Sequence, residues 1–142
     1  RPSDPILPAE ISSVETFLSN ELAIMVDAVE KFKPEHLIGS SGSFDTFAEM
    51  IGYEFYNRNV ISDKNSYSFK IDEYLKLHEK ILYSTAMQRN LMKGLVKMRI
   101  DMIVMATICT SMVLNKTGIK KMTLSKYALK EGALSMVISG KA

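Results

Sequence analysis

The sequence predicts an α/β fold that is rich in helix and contains a small parallel sheet. Two short apolar segments, Leu37 to Ile38 and Ile119 to Leu124, have the character of buried strands, and each leads into a helix. Amphipathic segments with apolar residues at every third or fourth position lie between them. Strands that are joined by helical crossovers run parallel. The length of 142 residues, with 46% apolar and 24% charged residues, fits a single globular domain, 1–142.

The first helix is predicted from the periodicity that follows a proline-rich lead-in. Residues 1–8 contain three prolines and predict an extended segment. From Ala9 the apolar residues recur at helical spacing until shortly before Pro34. We therefore expect one long helix that starts near Pro8.

A turn of small residues follows the first strand. Gly39 to Ser43, within HLIGSSGSFDTFAEM, carry no side chain larger than a hydroxymethyl group. Ser43 is the expected N-cap of the next helix, and Asp45 would complement the dipole of its first turn. The apolar pattern of that helix continues to Phe55, and a polar stretch, 57–66, predicts a break.

The C-terminal half predicts three further helices and the second strand. His78 lies on the apolar face of the third helix and is interpreted as a core or boundary histidine, not a ligand. Residues 89–98 are basic and are expected to be helical or turn-like. The remaining expected elements are a helix over 71–87, the most buried helix over 99–116 with Gly118 as its cap, a strand over 119–124, and a closing helix over 125–139.

A parallel sheet of only two strands is not a stable structure. The chain is therefore expected to be part of a larger sheet whose other strands are missing, or to complete its sheet with a second copy. This second possibility predicts a homo-oligomer.

Composition excludes several classes of site. The single cysteine, Cys109, lies in an apolar run, which excludes an intrachain disulfide and predicts a buried thiol in a reducing, cytoplasmic compartment. His36 and His78 have no cysteine partners, so no zinc pattern is present, and we identify no metal ligands. The apolar run 102–114 is too short and contains too many hydroxyls to span a bilayer, so no membrane partner is expected.

Charge is distributed unevenly along the chain. Residues 1–63 contain four Lys/Arg and eleven Asp/Glu, a net charge of −7, whereas residues 64–142 contain fourteen and five, a net charge of +9. Two solvated faces of opposite sign would explain this distribution. A basic cleft for an anionic ligand is the alternative, because a cleft lined by one charge concentrates counter-ions.

The turn Gly39–Ser43 allows two interpretations. It lacks the lysine of the phosphate loop G-x-x-x-x-G-K-[ST] and does not match G-x-G-x-x-G. Small residues before a helix nevertheless let backbone amides approach an anion at the positive end of the helix dipole. An ordinary strand-to-helix turn has the same composition, so both readings stay open at this point.

No catalytic arrangement is evident from the residues. The turn does not form a G-x-S-x-G nucleophile elbow, and the carboxylates lie where exposed helix faces are expected. Nucleic-acid binding is not predicted, because no aromatic-basic motif of a known reader is present.

Three blocks resemble the exopolyphosphatase/guanosine-pentaphosphate phosphohydrolase family. HLIGSSGSFDTFAEMI is similar to the glycine-rich turn of that family's second half, and MRIDMIVMATI to its R-x-D followed by a buried helix. MTLSKYALKEGALSMV is similar to its closing strand and helix. The blocks occur in the family's order and together cover nearly the whole chain, with 57–97 matching only loosely.

The resemblance implies one half of a ribonuclease-H-like, actin-like (ASKHA) core, namely its second half without the first strands. Members use Mg²⁺ to hydrolyse the terminal phosphoanhydride bond of polyphosphate or to remove the terminal phosphate of guanosine pentaphosphate. The two aspartate-glycine phosphate motifs and the catalytic glutamate of the family precede the region that resembles this chain. This bacterial fragment is therefore expected to be inactive alone and to need the missing N-terminal half of the same protein. A binding or interaction module that keeps the fold is the alternative.

The resemblance also suggests residue roles. Gly39, Ser40, Ser41, Gly42 and Ser43 would face the interdomain cleft and its substrate or nucleotide. Arg99 would either add positive charge near that cleft or form a structural pair with a carboxylate near Asp101 or with a helix end. In the closing block, Lys130 and Glu131 are interpreted as a surface pair and Gly132 as a packing contact. Lys126 stands where many members have Asp, and the sequence assigns it no role.

Overall fold

The computed structural model describes residues 2–140 and has three strands and seven α-helices in this part of the chain. In chain order the elements are α1 (Pro8–Glu21), α2 (Ala23–Phe32), β1 (His36–Ser40), α3 (Ser43–Tyr56), β2 (Ser66–Phe69), α4 (Ile71–Leu82), α5 (Ala86–Asn90), a 3₁₀ turn (Lys97–Arg99), α6 (Met102–Thr117), β3 (Lys121–Ser125) and α7 (Leu129–Ile138).

The three strands form one mixed sheet in the order β1-β3-β2. β1 and β3 pair in parallel, from His36 opposite Lys121 to Ser40 opposite Ser125, which confirms the predicted parallel pair. The expectation of a purely parallel sheet was wrong, because β2 pairs with β3 in the antiparallel direction. The sequence did not reveal β2 because it has only four residues, and its two serines are exposed at the edge of the sheet.

Helix α6 lies at the centre of the helical layer, where α1, α2, α3 and α4 all pack against it. The prediction that this is the most buried helix is confirmed, although the helix starts at Met102 and Arg99 belongs to the preceding 3₁₀ turn. Burial of apolar area in this core is the main stabilising contribution. Its fully buried side chains include Phe47, Ile51, Tyr74, Ile81, Ile103, Ile108, Met122 and Leu124.

The predicted long first helix is two helices that meet at Leu22. The Leu22 N–H still donates to the Leu18 carbonyl, and the Leu22 carbonyl still accepts from the Val26 N–H. The break is therefore a kink in a continuous helical path. Hydroxyl groups along α1 donate to the carbonyl four residues earlier, a bond that competes with the helical ladder and bends helices. These hydroxyls belong to Ser12, Ser13, Thr16 and Ser19.

The predicted helix over 71–87 ends at Leu82, and a separate short helix, α5, follows. The turn between them is held by the buried Arg89, whose Nη1 donates to the Ser84 carbonyl. Arg89 Nε also donates to the Ile100 carbonyl at 2.9 Å, and its Nη2 lies 3.1 Å from Asp4 Oδ1. This single guanidinium therefore connects the lead-in, α5 and the start of α6.

Two helix starts differ from the prediction. Gly42 is the N-cap of α3, and Ser43 is its first helical residue without a capping hydrogen bond. The last helix begins at Leu129 because Ser125 still belongs to β3. Glu131 lies 3.3 Å from Lys130 and accepts the Ala128 N–H at 2.8 Å.

The expected packing contact at Gly132 was wrong within residues 2–140. A Cβ at this glycine would meet nothing within 4 Å, because α7 buries none of its residues in this chain. Among the helices of residues 2–140, none combines the length and apolar character that crossing a membrane requires.

The interpretation of His78 as a satisfied boundary histidine is confirmed. Its Nδ1 lies 3.0 Å from Thr107 Oγ1, and Tyr74 Oη lies 3.2 Å from the carbonyl oxygen of the same threonine. Burial lowers the pKa of His78, although Glu79 and Glu15 oppose this effect.

We predict that this histidine makes stability depend on pH. The unfolded chain takes up a proton near the ordinary histidine pKa of 6.5, while the folded chain resists protonation until lower pH. The free energy of unfolding should therefore decrease as the pH falls through 6.5 towards the lowered pKa of the folded state. Urea unfolding between about pH 7.5 and 5.5 measures this slope. His78→Gln should flatten it, and an unchanged slope would contradict the assignment.

Candidate functional site

The candidate site lies at the carboxyl ends of the two parallel strands. β1 ends at Ser40 and β3 at Ser125, and these two residues are paired in register. The turn Ser41–Gly42 that leads to α3 therefore lies beside the turn from Ser125 to Ala128 that leads to α7. In open α/β sheets, ligands bind outside the carboxyl ends of the strands. The structure thus places the predicted residues Gly39 to Ser43 where a ligand site is expected.

The two glycines of the turn are required for different reasons. A Cβ at Gly39 would lie 2.2 Å from the ring of Phe44, so this position has no space for a side chain. Gly42 has open space around it, but its φ of 57° and ψ of −112° are unfavourable for residues with a side chain. Ser41 has a φ of 60° and is one of few such non-glycine residues in the described chain. The turn is therefore tightly specified by its backbone.

The amide groups of this turn remain largely available. The Phe44 N–H donates to the Ser41 carbonyl, and the Thr46 N–H to the Gly42 carbonyl, both at 3.3 Å. For the N–H groups of Gly42, Ser43 and Asp45, residues 2–140 provide no acceptor. Such unpaired donors at the first turn of a helix favour negatively charged ligands. The Asp45 carboxylate, in the same turn, reduces the positive potential there.

Arg99 contacts the turn itself. Its Nη1 donates to the Gly42 carbonyl oxygen and to Thr46 Oγ1, the latter at 2.8 Å. The sequence left open whether Arg99 faces the cleft or forms a structural pair. The structure brings it beside the turn, where it donates to a backbone carbonyl and a hydroxyl group at the start of α3. The sequence could not reveal this contact, because 57 residues separate the two groups.

Two depressions flank the turn on the surface that faces α6. One, of about 480 Å³, is lined by Ser40 to Phe44 together with Ala106, Cys109 and Thr110. The other, of about 290 Å³, is lined by Gly42, Ser43, Met98, Arg99, Met102 and Ile103. Gly42 and Ser43 are common to both, so they form the ridge between the two depressions.

Cys109 differs from its prediction. The thiol was expected to be buried, but it is half-buried and lines the larger depression. Burial raises the pKa of Cys109, so its reactive thiolate is disfavoured at neutral pH. The side chain is nevertheless reachable from the surface beside Ser40.

Lys126 supports the neighbouring turn. Its Nζ donates to the Ile61 carbonyl, and its backbone N–H donates to the Asn65 carbonyl at 2.8 Å. The segment between α3 and β2 is thereby tied to the end of β3. Sequence reasoning missed this role, because the acceptors are main-chain carbonyls in a loop without a motif.

Two other features test alternative sites. Residues 2–140 contain no group of three or more His, Cys, Asp or Glu side chains that could hold a metal ion. A cavity of about 600 Å³ lies between α3, α4 and α5, and its lining includes none of residues 39–43.

Comparison with known proteins gives a consistent result. The model of the Ppx/GppA phosphatase family matches residues 1–139. The crystal structure of an exopolyphosphatase from Cytophaga hutchinsonii is similar with a TM-score of 0.92 and 27% identity, over 100% of this chain and 46% of that chain. A Ppx/GppA family member from Aquifex aeolicus is similar with a TM-score of 0.76 and 19% identity, over 99% and 44%. No curated protein matches the sequence. The chain thus spans less than half the length of these two structures.

We predict that the two glycines of the turn respond differently to alanine. Gly39→Ala should destabilise the chain by about 1–3 kcal/mol through overpacking against Phe44. Replacing that ring by a smaller side chain, in the double variant Gly39→Ala/Phe44→Leu, should recover part of the lost stability. Gly42→Ala should cost about 1–3 kcal/mol through its backbone conformation.

Urea unfolding of the single and double variants measures these energies as double-mutant cycles. Phe44→Leu should couple to Gly39→Ala and not to Gly42→Ala, because no atom lies within 4 Å of the added Cβ at Gly42. Equal coupling at both glycines would show that the two constraints are not distinct.

Proposed function

Because this chain belongs to the Ppx/GppA phosphatase family, we propose that it forms one wall of the substrate cleft of a phosphoanhydride hydrolase. The observation that carries this proposal is the turn Gly39–Ser43. It lies at the carboxyl ends of two parallel strands, holds unpaired amide donors at the start of α3, and is flanked by surface depressions. Within a phosphatase family, such a turn is suited to phosphate groups.

The substrate class follows from the same chemistry. Inorganic polyphosphate and guanosine pentaphosphate both end in phosphoanhydride-linked phosphates, which backbone amides and serine hydroxyls can bind. In this proposal the parent protein releases the terminal phosphate from one of these polyanions. The helix-rich α/β architecture is consistent with the second half of an actin-like, ribonuclease-H-like core, as the sequence suggested.

The parent protein would divide the chemistry between two parts. The described residues offer no cluster of metal ligands. The side chains that line the two depressions are serines, Thr110, Cys109, apolar groups and Arg99, and Asp45 lies in the first turn of α3. In this proposal the Mg²⁺ ligands and the glutamate that activates water belong to the parent's remaining sequence, and this chain binds and orients phosphate. A reducing, cytoplasmic location suits the free thiol of Cys109.

Helix α7 supports the proposal of a partner. None of its residues is buried in this chain, and Leu134, Val137 and Ile138 are 60–77% exposed. A ten-residue helix is marginal without tertiary packing. The match to the Cytophaga structure takes in the whole chain, α7 included, and leaves more than half of that protein outside it. In the proposed arrangement, the rest of the parent covers the apolar side of α7.

A non-catalytic binding or interaction module is the second candidate. Among residues 2–140, the lack of a metal-ligand cluster favours it for this chain taken alone. The two candidates differ in the expected activity of the parent protein.

We predict that the chain alone releases no phosphate from polyphosphate or guanosine pentaphosphate with Mg²⁺, because it supplies only a binding surface. A parent protein that includes the remaining sequence should release phosphate from at least one of them. A colorimetric phosphate assay measures both. Sustained turnover by the chain alone would refute the division of chemistry, and an inactive parent would favour the non-catalytic module.

Two glycine variants of the parent sharpen this test. Gly42→Ala should lower kcat/KM by about tenfold or more, since it distorts the turn that binds phosphate. Gly118→Ala is the matched control, because Gly118 also has a positive φ and open space but caps α6 away from the turn. Equal losses in both variants would indicate a general effect on folding.

We also predict that the isolated chain self-associates through the exposed side of α7, because the apolar surface lacks its cover. Leu134→Glu/Ile138→Glu should shift the chain towards monomer in sedimentation experiments. Lys130→Glu, on the same helix but at an exposed charged residue, is the control and should leave association unchanged. A stable monomer at all concentrations would contradict this prediction.

A further inference from the structure

Arg99, Gly42 and Thr46 form a closed hydrogen-bonded group at the start of α3. Arg99 Nη1 donates to the Gly42 carbonyl and to Thr46 Oγ1. Thr46 Oγ1 donates to the same carbonyl at 3.1 Å, and the Thr46 N–H donates to it at 3.3 Å. Thr46 is only 3% exposed, so the group is anchored in the core. One carbonyl thus receives three hydrogen bonds, one of them from a charged donor.

Fixing this carbonyl also fixes an amide donor. The Gly42 carbonyl and the Ser43 N–H belong to one peptide unit, which is trans, since the cis peptide of the described chain is that of Asp4 and Pro5. In a planar trans peptide the C=O and N–H bonds point in opposite directions. The Ser43 N–H therefore points away from Gly42's three donors, and residues 2–140 contain no acceptor for it.

We infer that Arg99 is a positioning residue, which orients the Ser43 N–H towards a bound phosphate by holding the Gly42 carbonyl. Without the guanidinium, the Ser41–Gly42 segment would lose its only charged partner among the described residues. A charge-assisted hydrogen bond is roughly twice as strong as a neutral one. The role as a positioner of the backbone differs from that of an arginine that contacts the anion directly. The hydrogen bonds of Arg99 to Gly42 and Thr46 are observed in the structure. The role of the Ser43 N–H in binding phosphate rests on the proposed function.

The structure contains its own reporter for this geometry. Cys109 is the only cysteine of the sequence, and it lines the depression whose other wall is Ser40 to Phe44. Movement of the turn changes access to the thiol. The rate of alkylation by N-ethylmaleimide, a neutral reagent, therefore reports on the turn without any ligand.

The experiment compares three variants of the chain. Arg99→Gln removes the charge and the contact, Arg99→Lys keeps the charge but loses the guanidinium group, and Lys97→Gln removes a charge from the same 3₁₀ turn without touching Gly42. We expect alkylation of Cys109 to accelerate by about tenfold in both Arg99 variants, which corresponds to the loss of one charged hydrogen bond. Lys97→Gln should leave the rate unchanged. Equal rates in all variants would overturn the inference.

A binding measurement with inorganic tripolyphosphate separates the two claims. If Arg99 acts through the backbone, Arg99→Lys and Arg99→Gln should weaken binding alike, by about tenfold. If Arg99→Lys binds as the unmodified chain does, Arg99 acts as a charge and the inference is wrong. If the Arg99 variants are alkylated faster but neither they nor the unmodified chain binds tripolyphosphate, Arg99 does position the turn, and the proposal that the turn faces a phosphate ligand is wrong.

Thr46→Val provides an independent test if an Arg99 variant fails to fold. It removes the hydroxyl that both accepts from Arg99 and donates to Gly42, while keeping the shape of the side chain. Alkylation should accelerate in the same direction as in the Arg99 variants. An unchanged rate in a folded Thr46→Val chain, judged by its urea unfolding curve, would overturn the inference.

Discussion

The parallel pairing of β1 and β3 is the constraint on which the rest of the structure depends. Parallel strands cannot be joined by a tight turn, so the chain between them must cross over the sheet. That crossover contains α3 to α6 and nearly all of the core. The same pairing places Ser40 opposite Ser125, so the turns that leave both strands lie side by side. The core and the candidate site are thus two consequences of one pairing.

At this edge of the sheet, two nearby basic side chains contact the backbone. Arg99 donates to the Gly42 carbonyl, and Lys126 donates to the Ile61 carbonyl. Each cation thereby fixes a loop through a main-chain carbonyl. In the proposed function, amide N–H groups and serine hydroxyls of the turn Gly39–Ser43 meet the ligand, because they suit the many acceptor oxygens of a phosphate chain. Two of the basic side chains of residues 64–142 therefore act on the candidate site by fixing the conformation of its loops.

The sequence predicted what depends on local pattern and failed where distant contacts decide. Periodicity and composition were sufficient for the parallel pair, the buried helix α6 and the glycine-serine turn. The edge strand β2 was missed because its conformation comes from pairing with β3, and its serines resemble a loop. The Arg99 contact and the position of Cys109 depend on how α6 packs beside the turn, which no local pattern reports. Only Gly42 gave a local indication of the positive φ angles of Ser41 and Gly42.

In the proposed function, this chain is one partner in a shared cleft. A turn built to present backbone donors can bind a polyanion, but it cannot by itself activate water or neutralise the charge that develops during phosphoryl transfer. The described residues supply no carboxylate cluster for that purpose. Helix α7, none of whose residues is buried among residues 2–140, follows the second of the two turns at the carboxyl edge. In the proposed function, a second body that packs on α7 would supply the carboxylates that face a bound phosphate.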